Sequence, residues 1–554
     1  MALLSSLFVA VAVNVAVIYA ESFELSVIHV NDFHARYDEV SLAAGDCKTR
    51  GECIGGYSRI YAQIRELLQE NPNSVLLNGG DNFQGTLYYT LGKWNITQEF
   101  LNLLPWDAIV LGNHEFDDKI AGVVPFIEAL KAPVVVSNID DSLEPTIQGL
   151  YTKSTVIERN GKKIGIIGVI YSQTNIIASS ENLKFYPESP SVNEEAERLV
   201  REEGVFTNIV LSHSGYDIEQ AIAANASEKI GLIVGAHSHT FLWTGADPPG
   251  PDTPEGPYPT VVKSKNNKTV LVVQASAYSK YLGNISVVYN DDGEIVDWSG
   301  APIYLNTDKP TDDSIDKQLE PWKSIVEAEG SRVLGSSIVL LQKTGCYYKE
   351  CTLGNFLADA LVFQYTDRAD ATSWTYAAIA LVNAGGIRTD IPVGNITYND
   401  ISIAQPFANT VDVGELEGRY LKELMEQCTE AYSNQRSYSD ISLIQVSGIH
   451  VVFNLTRPKG DRVQSIKVRC QQCLTPVYED LVLDKSYRIV AQSFLRSGGD
   501  GFSALSDNLK NTEIGPVDID VYENYLRHRS PVFQEEEERI IVLSDSEIRY
   551  KMVD

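Results

Sequence analysis

Short apolar runs alternate with amphipathic stretches through the first 305 or so residues of the chain. β-Branched residues and leucine dominate the runs, and polar or glycine-rich turns separate them. The strand-like runs lie at residues 25–30, 74–77, 108–111, 134–136, 164–170, 208–211, 231–234 and 270–273, with helical stretches at 57–70 and 193–203. This alternation predicts an α/β domain whose sheets are covered by helices.

A second α/β region follows one amphipathic helix, predicted over residues 312–331. Leu319, Trp322, Ile325 and Val326 are predicted to share one face of that helix. Beyond it, strand-like runs at 377–382 and 486–491 alternate with helical stretches at 353–363 and 418–432. We therefore predict a first domain at residues 21–309, a linker helix within 310–334 and a second domain at 335–554.

The first twenty residues are uncharged and end in the small residue Ala20, which is typical of a signal peptide. Six Asn-x-Ser/Thr sites are compatible with glycosylation in a secretory pathway. No later stretch, including the polar C-terminus, has the apolar length of a membrane span or a lipid-anchor signal. We expect a secreted, extracellular protein without a membrane anchor, and a monomer or weak oligomer.

Composition excludes two classes of protein. The 74 acidic residues outnumber the 45 lysines and arginines, which gives a net charge of −29. An excess of this size repels a phosphate backbone, so we expect no nucleic-acid partner. The hydrophobic content of 44% is enough for a large core and argues against disorder.

Six of the seven cysteines fall into three close pairs. The pairs are Cys47 with Cys53, Cys346 with Cys351, and Cys470 with Cys473. In an oxidising compartment each pair closes a short loop as a disulfide. For the third pair a redox motif or half of a zinc site is the alternative, but no second Cys-x-x-Cys accompanies it. The remaining Cys428 lies in a helical stretch and is expected to be buried.

Several strand-like runs of the first region end in residues that ligate metals. Five of the eight histidines lie in these clusters. The candidate ligands are Asp32, His34, Asp81, Asn113, His213, His237 and His239, with His114 next to Asn113. Each cluster alone is an ordinary loop, but the ends of strands in an open α/β sheet face a common crevice. Carboxylate, imidazole and amide donors without thiolate suit zinc, manganese or iron, and seven ligands suit two ions that share one carboxylate.

These motifs resemble those of the calcineurin-like metallophosphoesterases. The matching segments are Asp32-x-His34, Gly80-Asp81-x-Phe83-x-Gly85, Gly112-Asn-His-Glu-Phe-Asp117, His213 and Gly235-x-His237-x-His239. The second region resembles that of the 5′-nucleotidase family, which includes secreted salivary apyrases of blood-feeding arthropods. There the matching segments are Asn383-Ala-Gly-Gly-Ile-Arg388, Gln405-Pro-Phe407, Ser447-Gly-Ile-His-Val-Val452 and Ser493-Phe-Leu-Arg-Ser-Gly-Gly-Asp-Gly-Phe502. The resemblance implies an N-terminal α/β/β/α sandwich and a C-terminal α/β domain, joined by a helix about which the domains rotate.

The resemblance also implies a role for each candidate residue of the first domain. One divalent ion would be held by Asp32, His34, Asp81 and His239, and a second by Asp81, Asn113, His213 and His237. His114, oriented by Asp117, would be the catalytic histidine, because a cationic imidazole places a proton near the leaving oxygen. Helix capping or further metal ligation are the alternative roles of His114 and Asp117. Zinc or manganese fits the donor types, whereas the salivary relatives are described as needing calcium or magnesium.

In the second domain the resemblance implies a nucleotide site. Phe407 and Phe494 would stack on the base, Asp500 would accept from the ribose, and Asn383 and Arg388 would hold sugar or phosphate. Alternatively, Phe494 belongs to the core because it follows a strand, and Asn383 and Arg388 are ordinary turn and surface residues.

Two departures from membrane-anchored 5′-nucleotidases favour a secreted apyrase. Tyr347 stands where those proteins carry an arginine, and Arg496-Ser497 replaces a neutral pair, so that Arg496 could meet an additional phosphate. We predict hydrolysis of extracellular ATP and ADP to AMP, and the resemblance implies suppression of ADP-triggered platelet aggregation. The alternatives are a secreted 5′-nucleotidase that converts AMP to adenosine and a nucleotide-scavenging protein without turnover. Intact metal positions and an intact His114 argue against the scavenger.

Overall fold

The structure is a computed structural model of the 554-residue chain. It describes residues 23–42, 44, 47, 52–227, 229–369, 371–407, 409–432 and 441–544. The predicted signal peptide, residues 1–20, lies outside the described residues. Within the described part, no helix combines the length and apolar character that crossing a bilayer requires.

Two six-stranded sheets form the first half of the chain. Its strands are β1 (Phe23–Val30), β2 (Val75–Asn78), β3 (Ala108–Ile109), β4 (Ile139–Asp140), β5 (Ser154–Arg159), β6 (Lys162–Ile170), β7 (Lys184–Phe185), β8 (Thr207–His213), β9 (Ile230–Val234), β10 (Thr260–Lys263), β11 (Thr269–Val273), β12 (Tyr281–Tyr289), β13 (Ile295–Gly300) and β14 (Ile303–Tyr304). The first sheet has the order β13-β12-β1-β2-β3, with β14 paired to β12, and the second has the order β10-β11-β9-β8-β6-β5. Strands β4 and β7 form a separate pair.

Helices cover the outer faces of these sheets. They are α1 (Tyr57–Glu70), α2 (Leu87–Leu101), α3 (Lys119–Ala129), α5 (Glu188–Arg198) and α6 (Tyr216–Ala224). The short helix α4 (Thr174–Ile177) instead contacts β7 and Gly499–Gly501 of the second half. Inward-facing residues of both sheets, such as Val27 and Leu232, belong to one hydrophobic core, so the sheets pack face to face. A smaller core, which includes Val192 and Ile222, packs α5 and α6 against the second sheet. The result is the predicted sandwich of two sheets between helical layers.

The second half contains a five-stranded and a four-stranded sheet. Its strands are β15 (Val333–Ser337), β16 (Ile379–Asn383), β17 (Gly394–Thr397), β18 (Val411–Glu417), β19 (Ile444–Ser447), β20 (Ile449–Asn454), β21 (Val463–Arg469), β22 (Tyr478–Asp480), β23 (Ser486–Gln492), β24 (Lys510–Glu513) and β25 (Ile540–Leu543). The orders are β19-β16-β23-β18-β24 and β22-β21-β20-β25, and β15 pairs with β17. The mixed α/β fold class predicted for both domains is confirmed.

Helix α7 (Asp313–Gly330) lies between the two halves. Asp312 caps its N-terminus, because the Asp312 carboxylate accepts from the backbone N–H groups of Ser314 and Ile315. The helices of the second half are α8 (Thr352–Gln364), α9 (Tyr398–Ala404), α10 (Gly418–Gln427), α11 (Ser493–Arg496), α12 (Ser503–Ser506) and α13 (Asp518–Arg529). Cores on the two faces of the five-stranded sheet pack α8 and α13 on one side and α10 and α12 on the other.

Three local predictions need correction. Residues 134–136 form only isolated bridges to Ile109 and Thr152, not a strand. The helix predicted at 193–203 begins at Glu188, and its last turn is π-helical. In α7, Leu319 and Val326 are buried but Ile325 is 50% exposed. The helical period brings position 322, not 325, onto the stripe of 315, 319 and 326.

The cysteine predictions are confirmed. Disulfides join Cys47 to Cys53, Cys346 to Cys351 and Cys470 to Cys473. Cys428 is buried and not disulfide-bonded. Burial raises the pKa of its thiol to about 12, which makes Cys428 an inert core residue.

Candidate active site

The side chains predicted as metal ligands converge in two groups that share Asp81. Asp32, His34, Asp81 and His239 form one group, and Asp81, His213 and His237 form the other. Within each group the donor atoms lie within 4.8 Å of one another. Asn113 joins the second group, because its Oδ1 lies 2.8 Å from His237 Nδ1 and 3.3 Å from His213 Nε2. The structure therefore brings together all seven predicted ligands.

The topology of the two sheets explains this convergence. β1, β2 and β3 are mutually parallel, as are β6, β8, β9 and β11, so that the carboxyl ends of each set lie at one edge. Asp32, Asp81 and Asn113 follow the ends of β1, β2 and β3. His213 is the last residue of β8, and His237 follows β9. Ligands from distant parts of the sequence thus reach one crevice at the strand ends.

The loops that carry the ligands have unusual backbone conformations. Asp32, His34, Asp81, His237 and His239 all have φ between 50° and 78°. Backbone hydrogen bonds hold these loops together: the His34 N–H donates to the Asp81 carbonyl at 3.0 Å. Position 112 has to be glycine because the backbone passes close to Asp81, and a Cβ there would lie 2.2 Å from Asp81 Oδ1. The ligands are therefore held in place by their backbones as well as by their side chains.

Three of the four ligand histidines have pKa values that favour a free lone pair, and the fourth does not. Burial lowers the pKa values of His34 and His239 well below the ordinary range, and lowers that of His237 to about 3. These imidazoles are consequently neutral, which is the form that binds a metal. The Nε2 atoms of His34 and His239 lie 3.1 Å apart. Burial lowers the pKa of His213, but the Asp81 carboxylate raises it to about 10, so that His213 has to lose a proton when a metal binds. Burial alone would raise the pKa of Asp81, but the charges of His213 and His114 lower it, so that the shared carboxylate is ionised.

The donor set suits two divalent cations. Its donors are oxygen and nitrogen atoms without sulfur, and Asp81 belongs to both groups. When two such ions are bound, they supply Lewis-acid activation of water and stabilise negative charge on phosphoryl oxygens. Five of the seven ligands are buried, whereas His237 and His239 are half-buried, and the side chain of His239 is 25% exposed.

His114 and Asp117 lie at the edge of this cluster. The carboxylate of Asp117 is 2.7 Å from His114 Nδ1, and the His114 backbone N–H donates to Asp81 Oδ1 at 2.9 Å. Burial lowers the pKa of His114, but the carboxylates of Asp117 and Asp81 raise it by a larger amount, so that the net shift is upward. A cationic imidazole beside the candidate metal ligands can donate a proton to a leaving oxygen.

Glu115 is a residue of this site that the sequence motifs did not single out. Its buried carboxylate accepts from the backbone N–H groups of Asp81, Asn82, Phe83 and Gly112 at 2.6–3.2 Å. It thereby fixes the Asp81 loop against the loop that carries Asn113. In the sequence, Glu115 lies between His114 and Asp117, and this position indicates a role in the site. An acidic residue that is not itself a ligand can hold the loops that carry the ligands.

Replacing Glu115 with glutamine is expected to lower the free energy of unfolding by about 2–4 kcal/mol, because backbone donors lose a charged acceptor and face an amide. Thermal and denaturant unfolding of the purified protein measure the change. Glu128→Gln is the matched control, since Glu128 is exposed on α3. An equal midpoint for both variants would show that Glu115 does not anchor the two loops.

The second domain brings part of its predicted nucleotide site to this centre. Phe407 stacks on the His114 ring, with centroids 5.5 Å apart and planes inclined by 21°. The Arg388 guanidinium lies 5.7 Å from the Phe407 ring and interacts electrostatically with Tyr278 of the first domain. The two domains therefore meet at the metal-binding edge.

The other predicted nucleotide-binding residues contact one another. Asn383 donates to Asp500 Oδ2 at 2.7 Å. Phe494 lies over Gly499, where a Cβ would come within 2.5 Å of its ring. Among the described residues, Phe494 has no ring contact with Phe407, so the two rings do not form a closed pair in this arrangement.

The structure corrects the interpretation of Arg496. Its Nε lies 2.6 Å from Oδ2 of Asp412, whose side chain is fully buried. A carboxylate of the protein itself thus neutralises this arginine, and Arg496 is not an uncommitted cation for an additional phosphate. The physical reason lies in β18, which places Asp412 opposite α11, the short helix that carries Arg496.

The fold and this centre define a two-domain, metal-dependent phosphoesterase. A family model described as calcineurin-like phosphoesterase matches residues 25–241, and one described as the 5′-nucleotidase C-terminal domain matches residues 333–507. The chain is 44% identical to an apyrase of Tabanus yao over 94% of each chain. It is 37% identical to a 5′-nucleotidase-related protein of Glossina morsitans morsitans over 96% of this chain and 97% of that protein.

A solved structure gives the same result. The 5′-nucleotidase precursor of Thermus thermophilus matches with a TM-score of 0.85 and 32% identity, over 94% of this chain and 100% of that one. The chain belongs to the 5′-nucleotidase family within the calcineurin-like phosphoesterases, and it is a metal-dependent nucleotide phosphohydrolase. Membership of this fold implies a binuclear metal site, which the His/Asp cluster fits.

Proposed function

We propose that the protein is a secreted apyrase that hydrolyses extracellular ATP and ADP to AMP and phosphate. The main support is the 44% identity to the Tabanus yao apyrase, which extends over nearly the full length of both chains. The three disulfides agree with an oxidising, extracellular location. Removal of ADP outside cells would reduce the ADP available to activate platelets.

The position of Arg388 supports a nucleotide substrate that spans the domain boundary. Its guanidinium acts electrostatically on Asp81 and His34 in the first domain and on Asp500 in the second. It is therefore close to both the candidate metal ligands and the Asn383–Asp500 pair. We assign the phosphoryl group under attack to the metal side, and the nucleoside to Asn383, Asp500, Phe407 and Phe494.

The residues of the chain have distinct tasks in this reaction. Asp117 holds the His114 imidazole by its Nδ1, which leaves Nε2 to donate a proton to the oxygen that leaves with the nucleotide. Arg388 offers a planar set of donors to phosphate oxygens.

The donor types of the seven ligands favour zinc or manganese. Calcium or magnesium, which the resemblance to salivary apyrases suggests, is the alternative.

Product analysis tests the proposed activity. Purified protein is incubated with ATP, ADP or AMP and a divalent salt, and products are separated by chromatography. We expect phosphate release from ATP and ADP, with AMP as the final nucleotide. Adenosine as the main product would overturn this proposal and establish a 5′-nucleotidase, and binding without phosphate release would establish a scavenger.

A further inference from the structure

Lys343 is a second cation beside Arg388, and none of the sequence motifs includes it. It lies in the loop between β15 and α8, which the Cys346–Cys351 disulfide closes on one side. Paired backbone hydrogen bonds of 3.0 Å between Leu341 and Ile391 tie this loop to the segment that follows Arg388. The location of Lys343 is therefore fixed by covalent and backbone contacts.

The Lys343 ammonium group faces the interdomain site. Its Nζ donates to the Arg388 carbonyl at 3.2 Å. Tyr278, whose ring lies 5.4 Å from that of His34 and 5.0 Å from that of His239, interacts electrostatically with both Lys343 and Arg388. Lys343 is thus connected to the metal-binding edge through Tyr278, and to the nucleotide side through Arg388.

Carboxylates act on both cations from a distance, Asp390 on Lys343 and Asp81 on Arg388, but no direct ion pair is formed among the described residues. The Asp390 carboxylate accepts from the backbone N–H of Lys343 at 2.7 Å. Within the part of the chain that the structure describes, no carboxylate oxygen forms an ion pair with Lys343 Nζ or with the Arg388 guanidinium at 4.0 Å or less. By contrast, Arg496 is paired with Asp412 and Lys280 with Asp252. Two half-buried cations without a paired anion are a site for an anionic ligand.

We propose that Lys343 is a specificity-determining residue that binds the phosphate remaining on the nucleotide after the terminal phosphoryl group is removed. This rests on the proposed function, because AMP as a substrate has no such phosphate. An ADP molecule with its terminal phosphoryl group at the metal ligands and its nucleoside near Asp500 has its α-phosphate between them. We assign Arg388 and Lys343 to that interval. The Arg388 guanidinium lies 5.7 Å from the Phe407 ring, which stacks on His114, and Lys343 Nζ donates to the Arg388 carbonyl.

A Lys343→Gln variant tests whether Lys343 binds this phosphate, because the loss of this contact should affect the KM for ADP and not kcat. We expect the KM for ADP to rise about tenfold with kcat within about twofold, since one charge-assisted hydrogen bond is lost. Lys343→Arg should restore most of the affinity. The matched control is Lys349→Gln in the same loop, whose exposed side chain pairs with Glu536, and its KM should not change.

Adenosine separates a phosphate contact from a structural effect. Adenosine has no phosphate, so its inhibition constant in the ADP assay should be the same for Lys343→Gln and the unmodified protein. An unchanged KM for ADP in Lys343→Gln would overturn the proposed role of Lys343, and so would a loss of adenosine binding as large as the loss for ADP. Neither result would contradict hydrolysis of ADP by the unmodified protein. If the unmodified protein attacks only AMP, the proposed function fails, and the role of Lys343 fails with it.

Discussion

An Asp81→Asn variant is expected to lose ADP hydrolysis almost entirely, with kcat/KM lower by about 10³-fold or more. Asp81 is the one side chain common to both groups of donors, and its carboxylate lies 3.1 Å from His213 Nε2 and 3.7 Å from His34 Nε2. Asparagine keeps the shape but removes the negative charge that two adjacent cations require. Steady-state kinetics with ADP and elemental analysis of bound metal measure the effect.

Asp308→Asn is the control for this variant. Asp308 is exposed in the first domain and accepts only from the neighbouring Asn306 among its described contacts. Its kinetics and metal content should equal those of the unmodified protein. If Asp81→Asn retained both its metal and more than about a tenth of the activity, a shared carboxylate would not be part of the mechanism.

A His114→Ala variant is expected to lower kcat for ADP by about 10²–10⁴-fold while both ions remain bound. The imidazole is held by Asp117 at 2.7 Å and contacts none of the candidate ligands through its ring nitrogens in the described contacts. Its removal would therefore take away the proposed proton donor without opening the metal centre. Kinetics and elemental analysis on the same preparation separate the two contributions.

Asp117→Asn gives an intermediate case. An amide can still accept from the imidazole, but it does not stabilise the imidazolium, so kcat should fall less than in His114→Ala. Loss of metal from His114→Ala would instead assign His114 as a ligand, which was the alternative role open from the sequence. A kcat close to that of the unmodified protein would exclude His114 as the proton donor.

The candidate metal ligands could be predicted because each follows a recognisable apolar run. The runs that precede Asp32, Asp81 and His213 consist of β-branched residues and leucine and could be identified as strands without knowing their order in the sheet. Parallel strands then bring their carboxyl ends together whatever the exact register. Errors in helix or strand ends, such as the early start of α5 at Glu188, do not alter this outcome.

Residues that act through long-range contacts could not be predicted in this way. Lys343 and Tyr278 are separated by a domain boundary, and no local periodicity indicates that they lie near Arg388. For Arg496 the sequence predicted a contact that the structure does not support. Its position suggested a substrate phosphate as the partner, whereas in the fold its partner is Asp412. In each case, the decisive neighbour belongs to another element of the fold.

The left-handed backbone at five of the seven candidate ligands carries an energetic consequence. Each non-glycine residue in that region costs about 1 kcal/mol relative to its preferred conformation. A sequence selected for stability alone would favour glycine at these positions, whereas the chemistry requires aspartate and histidine. Stability and activity are therefore in conflict at the strand ends, and bound cations offset the difference by stabilising only the folded state. We therefore expect the thermal stability of this protein to rise with the concentration of divalent cations in the surrounding fluid.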